Sequence, residues 1–320
     1  MEIVMKHCLS DSAGNEFLNW FTEYQMDPLA TLPANTKQGR ALLDSIDIPH
    51  ILYNKTTIME YNDREYVLHH RPLFDTIKEL LNNPDIFKHC VFEYTPVFVT
   101  NDKGEIERCY EEQYSGKWWG RAQESISEGS NILSIIFYSD ATTCDILGKT
   151  SEHPVYVTLG NIPIWRRNKP DAKALLAYLP MIEGSDDQKK MPNFTTSKYQ
   201  LFHRSMAILT EPIKSYSTGG LELRTDNGLL WCYPFFSQAL GDLPEHSAMT
   251  LTYNSANCHM PCHLCLTPRE EFNNPLIDHT SIILRTPEIM KQTIQHSRTR
   301  EYLLYDIENS FWSLPYVLLY

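Results

Sequence analysis

Three stretches of this chain combine residue types that can do chemistry. The densest is Cys258-His259-Met260-Pro261-Cys262-His263-Leu264-Cys265, which packs three thiols and two imidazoles into eight residues. The two-residue gap between Cys262 and Cys265 lets two thiolates grip one tetrahedral Zn²⁺, with Cys258 or a remote histidine such as His279 completing the shell. A shell closed by protein ligands leaves no open position for water, so this pattern suits a structural zinc over a catalytic one. A reduced metal-free cluster and a redox pair are the competing readings. The redox pair lacks the strand-helix-strand surroundings that such a site normally opens.

Asp140 ends the apolar run Asn131 to Ser139, where a carboxylate is costly unless it meets a metal, a cation or solvent. It could equally cap the turn that follows through Thr142 or Thr143, and Asp145 competes with it for either role. Asp242 stands in Gly241-Asp242-Leu243-Pro244-Glu245, a sequence that also suits the N-cap of a helix opening at Pro244. Together two such aspartates could hold divalent metal ions about 3.5 to 4 Å apart, activate a water or hydroxyl, and stabilise the leaving oxygen of a phosphodiester. Such chemistry normally uses a third carboxylate.

The third stretch is Trp165-Arg166-Arg167-Asn168-Lys169, where cations that can hold phosphates stand beside an aromatic ring that can stack on a base. A charged surface loop is the bland alternative. Trp118 and Trp119 read as packing residues.

The elements that must position these groups can be read from periodicity and turn residues. Apolar spacing predicts a helix over 10–25, capped by Ser10 or Asp11, and another over 37–45. Two β segments flank Asn62-Asp63, a helix follows over 72–82, and a strand pair flanks Asn101-Asp102-Lys103-Gly104. Residues 131–139 read as a strand buried on both faces, with 155–159 as its antiparallel partner. Residues 170–179 suit a helix with proline at its start, 184–190 a flexible insertion, and 201–216 a helix. A hairpin turns at Asp226-Asn227-Gly228, and the tail over 287–311 reads as mostly helical.

With 320 residues, 42% hydrophobic and 21% charged, the chain can bury one large core or two modest ones. The longest apolar run falls far short of the roughly 20 residues that span a bilayer, and no signal-type segment opens the chain, so an intracellular protein without a membrane segment is expected. Eight cysteines, five of them widely scattered, do not make a disulfide framework. The net charge of −12 argues against autonomous DNA binding, although most of the excess lies before residue 130 and leaves room for a local basic strip.

One run of motifs ties these features together. Tyr138-Ser139-Asp140-Ala141-Thr142-Thr143, His153-Pro154-Val155-Tyr156, Leu159-Gly160-Asn161-Ile162-Pro163 and Tyr178-Leu179-Pro180 occur in order. They are followed by Trp231 to Glu245, the Cys-x-x-Cys segment and Glu308-Asn309-Ser310-Phe311-Trp312. In this series the chain resembles the fungal Plavaka transposases, of the Kyakuja-Dileera-Zisupton and CACTA-like group of DNA transposons.

The resemblance implies an α/β fold. A mixed α+β region (1–128) would precede an RNase H-like core (129–320) carrying a zinc-knuckle insertion near 257–279. It implies Asp140 and Asp242 as catalytic acids binding Mg²⁺ or Mn²⁺, and a zinc-binding Cys-x-x-Cys insertion at Cys262 and Cys265, to which the local cluster adds Cys258 as a ligand of a structural Zn²⁺. Transposon ends and target DNA would be the partners of a nuclear protein that could act as a homo-oligomer, and the basic strip (Trp165, Arg166, Arg167 and Lys169) is where the residues themselves would contact nucleic acid. The expected third acid is not found before Tyr320, where Glu308 is the only late acid in a recognisable motif. Truncation and impaired cleavage are therefore expected. The alternative is a non-catalytic, zinc-stabilised remnant that binds DNA or protein.

Overall fold

Leu18 and its neighbours recur at helical spacing, and they fold as α1 (Asp11–Tyr24), whose first turn is capped by the Ser10 hydroxyl accepting from Ala13 N. The computed structural model describes residues 10–24, 33–44, 53–144, 151–253 and 258–314. It divides into two compact units, 1–52 and 53–320. In the first, α1 packs with α2 (Thr36–Asp44). The Asn15 side chain accepts from Thr36 N at 2.8 Å, and Arg40 reaches Asp11 at 2.8 Å.

The second unit opens with the hairpin of β1 (Asn54–Tyr61) and β2 (Arg64–His70). Asn62 and Asp63, the residue types that best tolerate it, adopt the left-handed conformation that a two-residue turn needs. Helix α3 (Leu73–Asn82) buries Leu73, Ile77, Leu80 and Leu81, and α4 (Pro84–His89) follows, capped by Asn83. A separate hairpin, β3 (Val97–Thr100) and β4 (Ile106–Cys109), leads to α5 (Lys117–Glu124). Strand β5 (Asn131–Ser139) and the short pair β6 (Thr142–Thr143) and β7 (Ser151–Glu152) come next, followed by β8 (Pro154–Leu159) and α6 (Ile164–Arg167). The chain continues through β9 (Ala174–Tyr178), α7 (Asp186–Lys189) and the long α8 (Pro192–Tyr216). Last are β10 (Leu221–Thr225), β11 (Gly228–Leu240), α9 (Leu243–Thr250) and α10 (Pro287–Gln295).

Seven strands form one mixed sheet in the order β1-β2-β9-β8-β5-β11-β10. Strands β5, β8 and β9 are an antiparallel meander, and the chain then crosses through α8 so that β11 lies parallel to β5 on its other side. Because β5 lies inside the sheet with both faces covered over 132–137, its sequence is mostly apolar and does not alternate. Leu133, Ile135 and Phe137 pack with Phe202, Met206, Leu209 and Ile213, spaced three and four residues apart on α8. Ile132 on the opposite face packs with Trp119, Tyr233 and Phe235.

The protein is thus mixed α/β, but several elements depart from expectation. Residues 170–179 form a one-turn 3₁₀ segment and then strand β9, not a helix, because Ala174-Leu175-Leu176-Ala177-Tyr178 is held between β8 and β2. Helix α8 starts at Pro192, and α7 falls within the stretch expected to be flexible. Beyond α10 the tail is largely turns. The sheet also runs across the 128/129 boundary expected from the sequence, since β1 and β2 extend it beyond β9. Among the described residues no helix is long and apolar enough to cross a membrane.

Candidate active site and metal centre

The parallel pairing of β5 and β11 sets the geometry of the candidate site. Tyr138 is in register with Leu240, so Asp140 and Asp242 each stand two residues past a paired position, at the same edge of the sheet. The Tyr138 hydroxyl donates to Asp140 Oδ2 at 3.1 Å. Desolvation, that hydrogen bond, and the charges of Asp140 and then Asp242 push the phenol above its usual pKa. Both carboxylates therefore act on one ring. Asp242 is also the N-cap of α9, with Oδ1 accepting from Glu245 N at 2.8 Å. The capping role suggested by its sequence is present, and it uses one of the two oxygens. Asp145 lies outside the described residues.

Behind this edge lies a cluster that sequence reasoning missed. Ser139, His153 and Glu245 are all buried or nearly so. Ser139 Oγ donates to Glu245 Oε1 at 2.6 Å, and His153 Nε2 lies 2.9 Å from the same oxygen and 3.0 Å from Ser139 Oγ. One buried carboxylate oxygen thus ties the end of β5, the start of β8 and the first turn of α9. Gly241 permits the approach, since a Cβ there would lie 2.8 Å from Glu245 Cβ and 3.0 Å from Ser139 O. The visible signal was the recurrence of Ser139, His153-Pro154 and Glu245 within the motif run.

The cysteine segment is organised by Arg285, a second residue that was not singled out. Its guanidinium is almost fully buried and donates to the carbonyls of Cys262 at 3.0 Å, Cys265 at 3.1 Å, Tyr302 at 2.6 Å and Met260 at 3.3 Å. Burial lowers its pKa, and the charges of Cys262 and Cys265 oppose that shift. Burial also opposes ionisation of Cys265, but Thr267, the Cys262 thiol and Arg285 together bring its pKa below the usual value. Cys262 Sγ accepts from Leu264 N at 3.3 Å. Burial raises the pKa of Cys262 above its usual value, so the thiolate character beside the buried Arg285 lies on Cys265. Two sulfurs at this spacing suit a soft divalent ion once both are deprotonated. Cys258 lies near Tyr305, and the side chain of His279 is outside the described residues. Among the described residues no three His, Cys, Asp or Glu side chains are grouped as a metal would need.

The basic strip is corrected by the structure. Arg166 is 1% exposed, with Nε 2.7 Å from Asp85 and its two terminal nitrogens 2.8 and 2.7 Å from Asp171, so it cannot contact phosphate. Arg167 donates to Ile162 O at 2.8 Å and pairs with Glu112 at 3.3 Å. Trp165 and Lys169 remain at the surface, with the ammonium 5.5 Å from the indole centroid. Glu308 is exposed on a cavity shared with Lys291, Asp306 and Trp312. Its neighbours in the motif are structural. Asn309 donates to Met249 O at 2.8 Å, and Ser310 Oγ lies 3.1 Å from His203 Nδ1.

A family model described as Plavaka transposase matches residues 39–317. The chain belongs to the Plavaka transposase family. That span contains all of the second unit's sheet, the Asp140 and Asp242 edge and the cysteine segment. No curated protein matches the chain. Membership in a transposase family makes DNA the general class of partner.

Proposed function

We propose that this Plavaka family member carries an RNase H-like core whose Asp140 and Asp242 support metal-dependent cleavage and transfer of DNA strands. The observation that carries this reading is the parallel β5/β11 register, which sets both carboxylates at one sheet edge. The sheet supports it further. An antiparallel meander, a crossover helix and a strand returning parallel to the first would be the ordering of such a core.

The residues present fit a hard cation. Asp140 is partly exposed, Asp242 is exposed and keeps one oxygen beyond its cap bond, and both can act as carboxylate ligands. When bound, Mg²⁺ or Mn²⁺ would activate water or a 3′-hydroxyl and stabilise the leaving oxygen. The protein's own part is positional. Tyr138 orients Asp140, while Ser139, His153 and Glu245 fix the start of α9 and with it Asp242. Cys262 and Cys265 would hold two positions of a structural zinc beside Arg285, and Cys258, which stands apart from them, would have to close on the ion to be the third ligand. Trp165 and Lys169 are the part of the basic strip available to DNA, and the protein would act in the nucleus.

A second reading, a non-catalytic zinc-stabilised module that binds DNA or protein, draws on the acid pair alone, since no third carboxylate joins Asp140 and Asp242 among the described residues. Cleavage of end-labelled DNA in Mg²⁺ or Mn²⁺, beside Asp140→Ala, separates the two. Activity that disappears in the variant supports the acid pair. Folded, zinc-loaded protein that leaves DNA intact supports the binding module.

A further inference from the structure

His263 lies between Cys262 and Cys265 in sequence, yet its imidazole does not join the thiols. It turns toward α9, where His263 Nε2 lies 3.2 Å from His246 Nδ1, with the ring planes at 85°. Both side chains are half-buried, and both line a cavity of about 410 Å³ whose polar lining includes Gln113, Ser237, Gln238 and Thr250. Neither histidine takes part in the acid pair or in the proposed thiolate centre.

Two arrangements bear on this contact, a hydrogen bond and a shared ion, and they differ in ring spacing. A hydrogen bond with both nitrogen axes on one line, at this N···N separation, would hold the ring centroids about 5.5 Å apart. Two nitrogens each about 2.0 Å from one shared ion, at the same separation, would hold the centroids about 5.0 Å apart. The observed spacing is 4.9 Å. That spacing is shorter than a straight hydrogen bond gives and close to the value for a shared ion, so a tetrahedral ion could be held with the imidazoles nearly where they are.

We infer that His246 and His263 form a second transition-metal site, separate from the cysteines, that takes Zn²⁺ with its remaining positions open to the cavity. Two neutral imidazoles are good zinc ligands, and water in the cavity can supply the others. The ion bridges α9 to the cysteine segment. Since α9 begins at Asp242, an ion here would brace the helix that carries one of the two acids.

The test uses the 320-residue chain, stripped with chelator, reloaded with Zn²⁺ and desalted, with metal content measured by emission spectroscopy. Wild type should retain one zinc per chain more than His246→Asn or His263→Asn. Cobalt loading distinguishes the sites, because thiolate ligation gives an intense charge-transfer band that imidazole ligation lacks. That band should be unchanged in the histidine variants and lost in Cys262→Ser/Cys265→Ser, which should keep the histidine-bound ion. If the thiolate centre does not exist, no intense band appears, yet the histidine-dependent ion persists. Equal zinc in wild type and in both histidine variants overturns the inference. Should the variants fail to fold, imidazole ¹⁵N resonances of wild type during Zn²⁺ titration decide the matter. Shifts at Nδ1 of His246 and Nε2 of His263 are expected, and unmoved resonances refute the site.

Discussion

Asp242 has two roles, and substitution can separate them. Asparagine is as good an N-cap as aspartate, so Asp242→Asn keeps the bond to Glu245 N while removing the charge a metal needs. We expect its stability to stay within about 0.5 kcal/mol of wild type. Any metal-dependent cleavage should vanish. Asp242→Ala should lose the cleavage and also about 1 kcal/mol of stability in denaturant melts. An Asp242→Asn protein that still cuts DNA would remove Asp242 from the acid pair. Glu245 behaves differently, because its Oε1 is the shared acceptor for two buried donors. Glu245→Ala leaves Ser139 and His153 with only each other as partners and should cost about 1–3 kcal/mol. Glu245→Gln keeps an oxygen and should cost clearly less. Urea melts of both variants check this, and equal losses would show that the oxygen contact contributes little.

At the scale of elements, α8, α9 and the tail are joined through one histidine. His203 Nε2 donates to Ala248 O at 2.9 Å, so Nδ1 is the acceptor facing Ser310 Oγ at 3.1 Å and Ser310 N at 3.3 Å. Burial holds its pKa down at about 4. A proton on Nδ1 would set two donors against each other. The folded pKa lies below the unfolded value of about 6.5, so this contribution is complete above pH 6.5 and is lost as pH falls toward 4. It amounts to something on the order of 3 kcal/mol. Denaturant melts should show about 2 kcal/mol of this loss between pH 7 and pH 5, with the rest below pH 5, and His203→Gln should flatten it. An unchanged slope in that variant would assign the pH dependence to other groups. The clasp also shows what a sequence makes legible. Strand β5 could be read because a run buried on both faces has one pattern. Strand β9 could not, since Ala-Leu-Leu-Ala-Tyr suits a helix equally well and only its neighbours β8 and β2 decide the matter. The pairing of His203 with Ser310, 107 positions later, leaves no local trace at all, and although Ser139, His153 and Glu245 each stand in the motif run, their contact is equally hidden by its sequence separation.

Over the whole molecule the charge of −12 sets the terms on which DNA can be approached. Affinity must come from local cations, and the fold has removed two of the four strip residues from that role. Arg166 is folded inward onto Asp85 and Asp171, and Arg167 is tied to Ile162 and Glu112. Substitutions that look alike in sequence should therefore have opposite consequences. Lys169→Ala should leave the melting transition in place while weakening binding to duplex DNA at low salt and lowering the salt dependence by about one counterion. Arg166→Ala should cost about 2 kcal/mol of stability, less than a fully buried pair because both of its acidic partners reach solvent. Its effect on DNA binding should follow only from that loss. Binding isotherms at several salt concentrations beside urea melts test both expectations. A salt slope altered by Arg166→Ala in protein that is still fully folded would mean that the guanidinium leaves its two aspartates to meet the phosphate backbone.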